Sequence, residues 1–241
     1  MKRFFSILRL YIGLMRVANN PNNTAAALAI AERLRELGLI EAEERKLMSD
    51  PESALVIKKR KTLGPIDLQK LNKLPEGSLG KVYSSHMLKL GLNPEFFKNI
   101  EIVDGITLGM MRLRQTHDLW HVMTGFDTSV PGELGLQAFM LAQTDSPLSP
   151  LLIGGRLFAV AVKDPSEVPL ILESVTRGWI LGKNSKPLFP IDWEANWETP
   201  LQEMQSKYIS YDKMNFETKS APSDFLPHTS KEQVQENTST H

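Results

Sequence analysis

The sequence predicts an all-α fold, arranged as a single orthogonal bundle of many helices. Apolar residues recur with the 3.6-residue period of a helix over eight segments, whereas no long stretch alternates between apolar and polar residues as a half-buried strand would. The nearest candidate for a strand is the short run at residues 100–103. The eight helical segments lie at roughly 23–38, 51–60, 79–90, 106–124, 131–144, 150–163, 166–183 and 197–208.

Four pairs of residues mark helix starts independently of this periodicity. Each pair places a capping side chain before a proline at the first helical position, where the missing amide hydrogen costs nothing. Asp164 is also followed by Glu167 in the Asp-led form of a capping box, and Pro169 should kink this helix or delay its start. The four pairs are Asp50-Pro51, Asn93-Pro94, Ser149-Pro150 and Asp164-Pro165.

Composition divides the chain into three parts. Residues 1–20 predict an amphipathic helix that either lies in a membrane interface, docks on a partner or packs on the core, with a cleaved organelle presequence as a further alternative. Residues 21–210 predict one all-helical domain. Residues 211–241 are polar and rich in Ser and Thr, so they predict a disordered tail. The polar stripe of the first helix consists of Lys2, Ser6, Arg9, Gly13, Arg16 and Asn20.

Composition also narrows the classes of protein and of site that are open to the chain. Of the 241 residues, 41% are hydrophobic and 23% are charged, which is typical of a soluble globular protein. The formal net charge is zero, so no nucleic-acid partner is expected. The basic cluster at residues 58–61 is interpreted as a solvated helix end, with a binding patch as the alternative. Cysteine is absent, so any metal must be held by His, Asp or Glu.

Metal-ligating residue types are concentrated in the stretch HDLWHVMTGFDTSVPGE. His117 and His121 are four residues apart and therefore share one face of a helix. Gly125 predicts the end of this helix, and Pro131, six residues later, predicts the start of another. The chain should therefore fold back. Glu133, in the first turn of the second helix, would then face the histidine pair. Two histidines and one carboxylate leave coordination positions open, as in catalytic metal sites.

Asp118 lies about 100° around the helix from His117. It is predicted to be a fourth ligand, a carboxylate that orients another ligand, or a base acting on metal-bound water. Ordinary alternatives exist for each member of this cluster. The histidine spacing can occur by chance, Glu133 could cap its own helix, and Asp118 could pair with Arg114 one turn earlier.

A second motif, PEGSLG, precedes Tyr83. Gly77 and Gly80 flank Ser78 and permit close backbone approach before a helix, whose amino terminus favours anionic groups. The alternative is a turn and a helix cap.

Three glycines further along the chain allow either tight helix contacts or space beside a ligand. They are Gly154, Gly155 and Gly178. An apolar slot lined by such helices could hold a long hydrocarbon chain, and plain core packing fits equally well.

Three motifs together resemble the ubiquinone (coenzyme Q) biosynthesis protein four family. They are PEGSLGKVY, then HDLWH with Glu133 twelve residues after the second histidine, and then IDWEANWETPLQEMQ, between about residues 63 and 210. The family signature, HDxxH followed by eleven residues and Glu, is intact, whereas zincin proteases carry Glu after the first histidine. Eukaryotic members begin with a mitochondrial presequence that is not convincing here, so a bacterial relative is expected.

The resemblance implies a divalent metal, which could be zinc, magnesium or iron, and an apolar pocket that accommodates a lipid. It implies oxidative decarboxylation of a polyprenylated hydroxybenzoate, with a non-catalytic, lipid-binding scaffold for other quinone-biosynthesis enzymes as the alternative. Expected partners are an isoprenoid lipid, those enzymes, a membrane surface and a second copy of the chain. The expected location is the cytoplasmic face of a bacterial membrane, or alternatively the matrix side of the mitochondrial inner membrane. The implied metal group is His117, Asp118, His121 and Glu133, with His117 and Asp118 catalytic, and the implied pocket residues are Gly77, Ser78, Gly80, Tyr83 and Arg114.

Overall fold

The computed structural model describes residues 2–19, 24–96 and 104–211. Within these ranges the protein is a bundle of eleven α-helices without strands, which confirms the predicted all-α class. The strand candidate at 100–103 and residues 212–241 of the predicted tail lie outside the described residues. The helices are α1 (Lys2–Asn19), α2 (Thr24–Glu36), α3 (Glu41–Ser49), α4 (Pro51–Lys58), α5 (Leu68–Leu71), α6 (Leu79–Leu90), α7 (Gly105–Thr124), α8 (Val130–Thr144), α9 (Leu148–Lys163), α10 (Val168–Asn184) and α11 (Leu201–Tyr208).

Two of the predicted helix starts are formed by the expected capping side chain. The Asp50 carboxylate accepts a hydrogen bond from the backbone N–H of Ser53 at 2.8 Å and begins α4. The Asp164 carboxylate caps a short 3-10 turn instead, accepting from the N–H of Ser166, and α10 begins only after that turn. Pro169 lies in the first turn of α10, so it delays the helix as predicted.

The other two predicted starts differ from the structure. The helix expected from Ser149 begins at Leu148, because the Ser149 hydroxyl donates to the Gln137 side chain at 2.9 Å and caps nothing. Asn93 accepts from the N–H of Glu95 at 2.9 Å and forms a turn, with no helix in the residues described after it.

Two helices were not expected, and one begins later than predicted. The α3 segment EAEERKLMS buries only Glu43 and Leu47, so its sequence carries little apolar periodicity. The four-residue α5 is too short for a periodic pattern. The last helix begins at Leu201 rather than 197, because a 3-10 turn and Pro200 precede it.

The main core surrounds the second half of α7. Leu119, Trp120, Val122 and Met123 are all fully buried there. Trp193, in the segment between α10 and α11, is also fully buried in this cluster. The helix that carries the two histidines is therefore held by large apolar side chains on the faces that do not form the site.

Close contact between α8 and α10 depends on glycines. A Cβ atom placed on Gly178 would lie 1.9 Å from the carbonyl oxygen of Gly135, and one on Gly182 would lie 2.7 Å from that of Phe139. Side chains larger than hydrogen therefore cannot be accommodated at the present helix separation. This packing fixes α8 against the rest of the bundle.

Helix α1 both packs on the bundle and leaves an apolar surface exposed. Leu10 and Leu14 join a small core cluster with Ile30 of α2. Ile7 and Tyr11, however, are 52% and 57% exposed. Packing on the core accounts for only part of the wide apolar surface predicted for this helix.

Candidate metal centre

The α7–α8 hairpin forms as the sequence predicts. Gly125 adopts the left-handed conformation (φ 72°), and its N–H bonds to the carbonyl of His121 at 2.9 Å, which ends α7. Ser129 begins α8, since its hydroxyl accepts from the N–H of Gly132 at 3.2 Å. The chain thus reverses within five residues, which lie between Thr124 and Val130.

Three of the predicted ligands converge at this hairpin. Nε2 of His121 lies 3.2 Å from Oε1 of Glu133, and Nε2 of His117 lies 3.8 Å from Oε2 of the same carboxylate. One ligand atom from each residue lies within 4.8 Å of the other two. Two ligands that each lie about 2.1 Å from an ion are roughly 3.0–3.4 Å apart. The pair of His121 and Glu133 already has this separation, and the group as a whole could hold a metal ion once its side chains close by roughly 1 Å.

The hydrogen bonding of His121 supports a cation at this point. Its Nδ1 lies 2.8 Å from the carbonyl oxygen of Phe126, and a carbonyl only accepts, so Nδ1 carries the proton. Nε2 of the neutral ring then carries a lone pair that faces the Glu133 carboxylate. This nitrogen is completely buried, and no group donates a hydrogen bond to it. Two acceptors at 3.2 Å repel each other unless a cation, or a second proton on the ring, lies between them.

The charges around His117 favour its interaction with the two acids. Burial opposes a charge on His117, but the carboxylates of Asp118 and Glu133 outweigh this effect and raise the pKa of the imidazole. Burial likewise opposes ionisation of both acids, but the histidines, chiefly His117 for Asp118 and His121 for Glu133, lower the pKa of each carboxyl group. The acids are therefore ionised at neutral pH, as metal ligands must be.

Asp118 lies outside the group of three. Its Oδ1 is 3.9 Å from Nδ1 of His117, the ring nitrogen opposite the one that faces Glu133. A carboxylate on the far nitrogen of a ligating histidine orients the ring and increases its basicity. Among the predicted roles, this position favours that of a carboxylate that orients a ligand.

Arg114 does not share the environment of Asp118. Burial lowers the pKa of Arg114, and the acidic charges that oppose this effect belong to Glu32 and Glu43. The pKa of Asp118 depends instead on the neighbouring histidines. Contact of Arg114 with a substrate stays a prediction.

Two side chains of α6 complete the surroundings of the site. His86, which sequence reasoning missed, has its ring centroid 6.2 Å from that of His121 and is 8% exposed. Burial and then the nearby His121 lower the pKa of His86. Tyr83 is fully buried, and burial together with the charge of Asp118 raises the pKa of its hydroxyl. The signal for His86 was its position three residues after Tyr83, on the same helix face.

The PEGSLG motif positions α6 through backbone contacts. Ser78 caps the helix, accepting from the N–H of Lys81 at 3.4 Å, so the helix-cap interpretation is confirmed. The N–H of Gly80 donates to the carbonyl of Trp197 at 2.8 Å, and the Trp197 ring stacks on Tyr83 with centroids 5.6 Å apart. Contact of Gly77, Ser78, Gly80 and Tyr83 with a substrate stays a prediction.

A narrow apolar cavity lies away from the metal ligands. It is enclosed by α3, α4 and the first half of α7, and its one buried acid is Glu43, whose pKa burial raises to about 7. Along α7, the lining residue Gly109 precedes His117 by eight residues, or about 12 Å. The lining residues are Ile40, Glu43, Glu44, Leu47, Met48, Ile57, Gly105, Gly109 and Met110.

The fold and the site define a class: an all-helical protein with two histidines and one glutamate arranged on a helical hairpin so that they can hold a metal ion. Residues 7–211 match the family model described as coenzyme Q (ubiquinone) biosynthesis protein Coq4. The chain belongs to this family, which is involved in ubiquinone biosynthesis.

Individual relatives agree with this membership. The chain is 25% identical over 181 residues to the mitochondrial ubiquinone biosynthesis protein COQ4 of Coprinopsis cinerea, covering 69% of this chain and 58% of the relative. It is 30% identical over 167 residues to the corresponding protein of Aspergillus niger, covering 67% of this chain and 56% of the relative. The chain thus spans less than three fifths of the length of these two relatives.

A solved structure also has this fold. A protein of Nostoc punctiforme PCC 73102, assigned provisionally to ubiquinone biosynthesis, is 30% identical, with a TM-score of 0.76. The similarity covers 84% of this chain and 95% of that one. None of the described helices combines the length and apolarity needed to cross a bilayer.

Proposed function

We propose that this protein is a metal-dependent enzyme that oxidatively decarboxylates a polyprenylated hydroxybenzoate during prenylated quinone synthesis. The observation that supports it best is the group of His117, His121 and Glu133, with the buried Nε2 of His121 facing a carboxylate. Two histidines and one carboxylate leave several coordination positions for a substrate and a co-substrate.

The proposed reaction sets a requirement on the metal. Replacing a ring carboxyl by hydroxyl oxidises the ring by two electrons and releases carbon dioxide. With dioxygen as oxidant, two further electrons from a reductant and two protons complete the formation of water. A redox-active ion such as iron would supply this electron transfer, which zinc and magnesium cannot.

The side chains have separate tasks in this proposal. His117, His121 and Glu133 hold the ion, and the Phe126 carbonyl fixes the ring of His121 so that Nε2 faces the ion. Asp118 would orient His117 through its far nitrogen after closing from 3.9 Å to hydrogen-bonding distance, and would accept or return a proton there. His117 is thereby both ligand and catalytic residue.

The substrate would contact the site from the α6 side. Tyr83 and His86 lie there, within reach of the charges of Asp118 and of the metal group. Gly77, Ser78, Gly80 and Arg114 are the further proposed pocket residues.

Peripheral attachment to a membrane would give access to such a lipid. Ile7 and Tyr11 of α1 are exposed, as are Arg9 and Arg16, and the first acid of the chain is Glu32. An apolar surface flanked by cations suits an anionic lipid interface. The proposed membranes are the cytoplasmic face of a bacterial membrane or, alternatively, the matrix side of the mitochondrial inner membrane. The names of the fungal relatives, which say mitochondrial, are consistent with the alternative.

A lipid-binding scaffold for other quinone-biosynthesis enzymes is the second candidate. Exposed apolar side chains on α9 and α10 favour it, because they offer surface for other proteins, including a second copy of this chain. They are Phe158, Val162, Leu170, Leu172 and Trp179, which are 42–69% exposed.

The two candidates differ in one measurable product. The full chain is incubated anaerobically with ferrous iron and a prenylated hydroxybenzoate, and dioxygen and ascorbate are then added. The enzyme hypothesis predicts release of the labelled carboxyl carbon as carbon dioxide, with the hydroxylated ring recovered in equal amount. Metal-loaded protein that binds the lipid without product would support the scaffold.

Matched variants identify the ligands. Glu133→Gln and His121→Ala should lower bound metal in elemental analysis while circular dichroism stays helical. Glu173→Gln, an exposed glutamate of α10, is the control and should keep full metal. Full metal in both site variants would overturn the ligand assignment.

A further inference from the structure

Phe126 connects the two helices that supply the metal ligands. Its carbonyl oxygen accepts the Nδ1 proton of His121 at 2.8 Å. Its ring packs against α8, since a Cβ on Gly135 would lie 2.5 Å from the ring atom Cε1. Gly135 follows Glu133 by two residues. One residue therefore contacts both the His121 ring and the helix that carries Glu133.

Helix α10 holds Phe126 in place. The guanidinium of Arg177 lies over the Phe126 ring, 4.9 Å from its centroid, and the ring side chain is only 2% exposed. One turn earlier on α10, the Ser174 hydroxyl donates to the carbonyl of Pro131 at 2.6 Å. Both ends of the α7–α8 turn thus contact the same face of α10.

The end of α7 is also held by two hydrogen-bonding side chains, of which Tyr211 lies close enough to Arg177 to interact with its charge. The amide of Gln205 and the hydroxyl of Tyr211 both donate to the carbonyl of Met123, at 3.2 and 3.1 Å. These bonds satisfy a carbonyl that has no partner within the helix. They anchor the helix end, whereas Arg177 contacts the residue that hydrogen-bonds to a ligand.

We propose that Arg177 is a positioning residue for the metal centre, acting through Phe126 on His121 and Glu133. A guanidinium over a buried ring gives an attraction that disfavours rotation of the ring. With its side chain held between Arg177 and Gly135, Phe126 resists displacement as a whole, and its backbone carbonyl stays within hydrogen-bonding distance of the His121 imidazole. This inference rests on the proposed metal site.

The test measures cobalt binding by the full chain. Co²⁺ is titrated into wild type and Arg177→Met while the visible absorption, which reports the ligands and geometry of the ion, is recorded. Arg177→Met should raise the dissociation constant up to about tenfold, the low end of the effect of losing a group bonded directly to a ligand, because Arg177 acts through Phe126. Arg177→Lys, which keeps the charge, should recover part of the affinity. Phe126→Leu, tested in parallel, should weaken binding as Arg177→Met does.

A matched contact on the same helix provides the control. Lys183 lies over the Trp179 ring at 5.7 Å, remote from the turn, so Lys183→Met should bind cobalt like wild type. Unchanged affinity and spectrum in folded Arg177→Met would overturn the positioning role. A wild type that binds no cobalt would instead overturn the proposed metal site. If Arg177→Met does not fold, Phe126→Leu decides by the same two readouts.

Discussion

Replacing Gly178 by alanine tests whether the α8–α10 contact limits stability. The added Cβ would lie 1.9 Å from the Gly135 carbonyl oxygen and 2.8 Å from its carbon. A carbon–oxygen contact normally requires at least about 3.3 Å. The helices must therefore separate by roughly 1 Å or more along their main interface, or the backbone of one of them must bend.

The expected loss of stability follows from this displacement. Overpacking in a rigid core destabilises by about 1–3 kcal/mol and occasionally more. In a chain of this size each kcal/mol lowers the melting temperature by about 2–4 °C, so Gly178→Ala should melt about 2–12 °C below wild type. Thermal unfolding followed by circular dichroism measures the shift.

Gly154→Ala is the matched control for this variant. Gly154 is an exposed helical glycine of α9, and a Cβ there meets nothing within 4 Å. Alanine should stabilise that helix by about 0.5–1 kcal/mol through its higher propensity. If Gly178→Ala melts at or above wild type, as Gly154→Ala is expected to do, the contact does not limit the helix separation.

Three further predictions concern the parts of the fold that hold α7. Arg112→Met should lower the free energy of unfolding in urea by about 2–3 kcal/mol. The reason is that the buried guanidinium donates hydrogen bonds to the carbonyls of Phe189 and Ile191, at 2.8 and 2.6 Å. An unchanged midpoint of urea unfolding would contradict this. Glu43→Gln should be more stable than wild type at pH 8. Burial raises the folded pKa of Glu43 to about 7, so its contribution is complete below the unfolded value of 4.5 and is lost as pH rises towards 7; equal pH profiles of the melting temperature would refute it. Asp104→Ala should cost about 1 kcal/mol, since it removes the capping box at the start of α7, and a change below about 0.3 kcal/mol would show that the cap is dispensable.

The metal hairpin could be predicted from sequence because its determinants are local. The spacing of His117 and His121 fixes a common helix face, and Gly125 ends the helix through its own backbone preference. Glu133 follows a capping serine closely enough that the turn alone brings it back to the histidines. Each of these inferences depends only on residues that are close together in the sequence.

Features that depend on packing could not be predicted in this way. His86 shares a helix face with Tyr83, but its own segment shows no metal-binding spacing, and only the packing of α6 against α7 brings it to the site. Ser149 had a capping pattern, but its hydroxyl donates to Gln137 of another helix. The α3 helix buries a glutamate together with one leucine, a pattern that apolar periodicity cannot detect.

The end of helix α7 at Gly125 also makes the orientation of His121 possible. In a continuous helix the carbonyl of Phe126 would bond to the N–H four residues later and could not accept the Nδ1 proton of His121. Because α7 ends at Thr124, this carbonyl is free of the helix and points back to the ring at 2.8 Å. The same break starts α8 at Val130, and its first turn presents Glu133 where the positive end of the helix dipole favours a carboxylate. A change that extends α7 across Gly125, such as Gly125→Ala, should therefore disturb the histidine and the glutamate together, which loss of either ligand alone would not do.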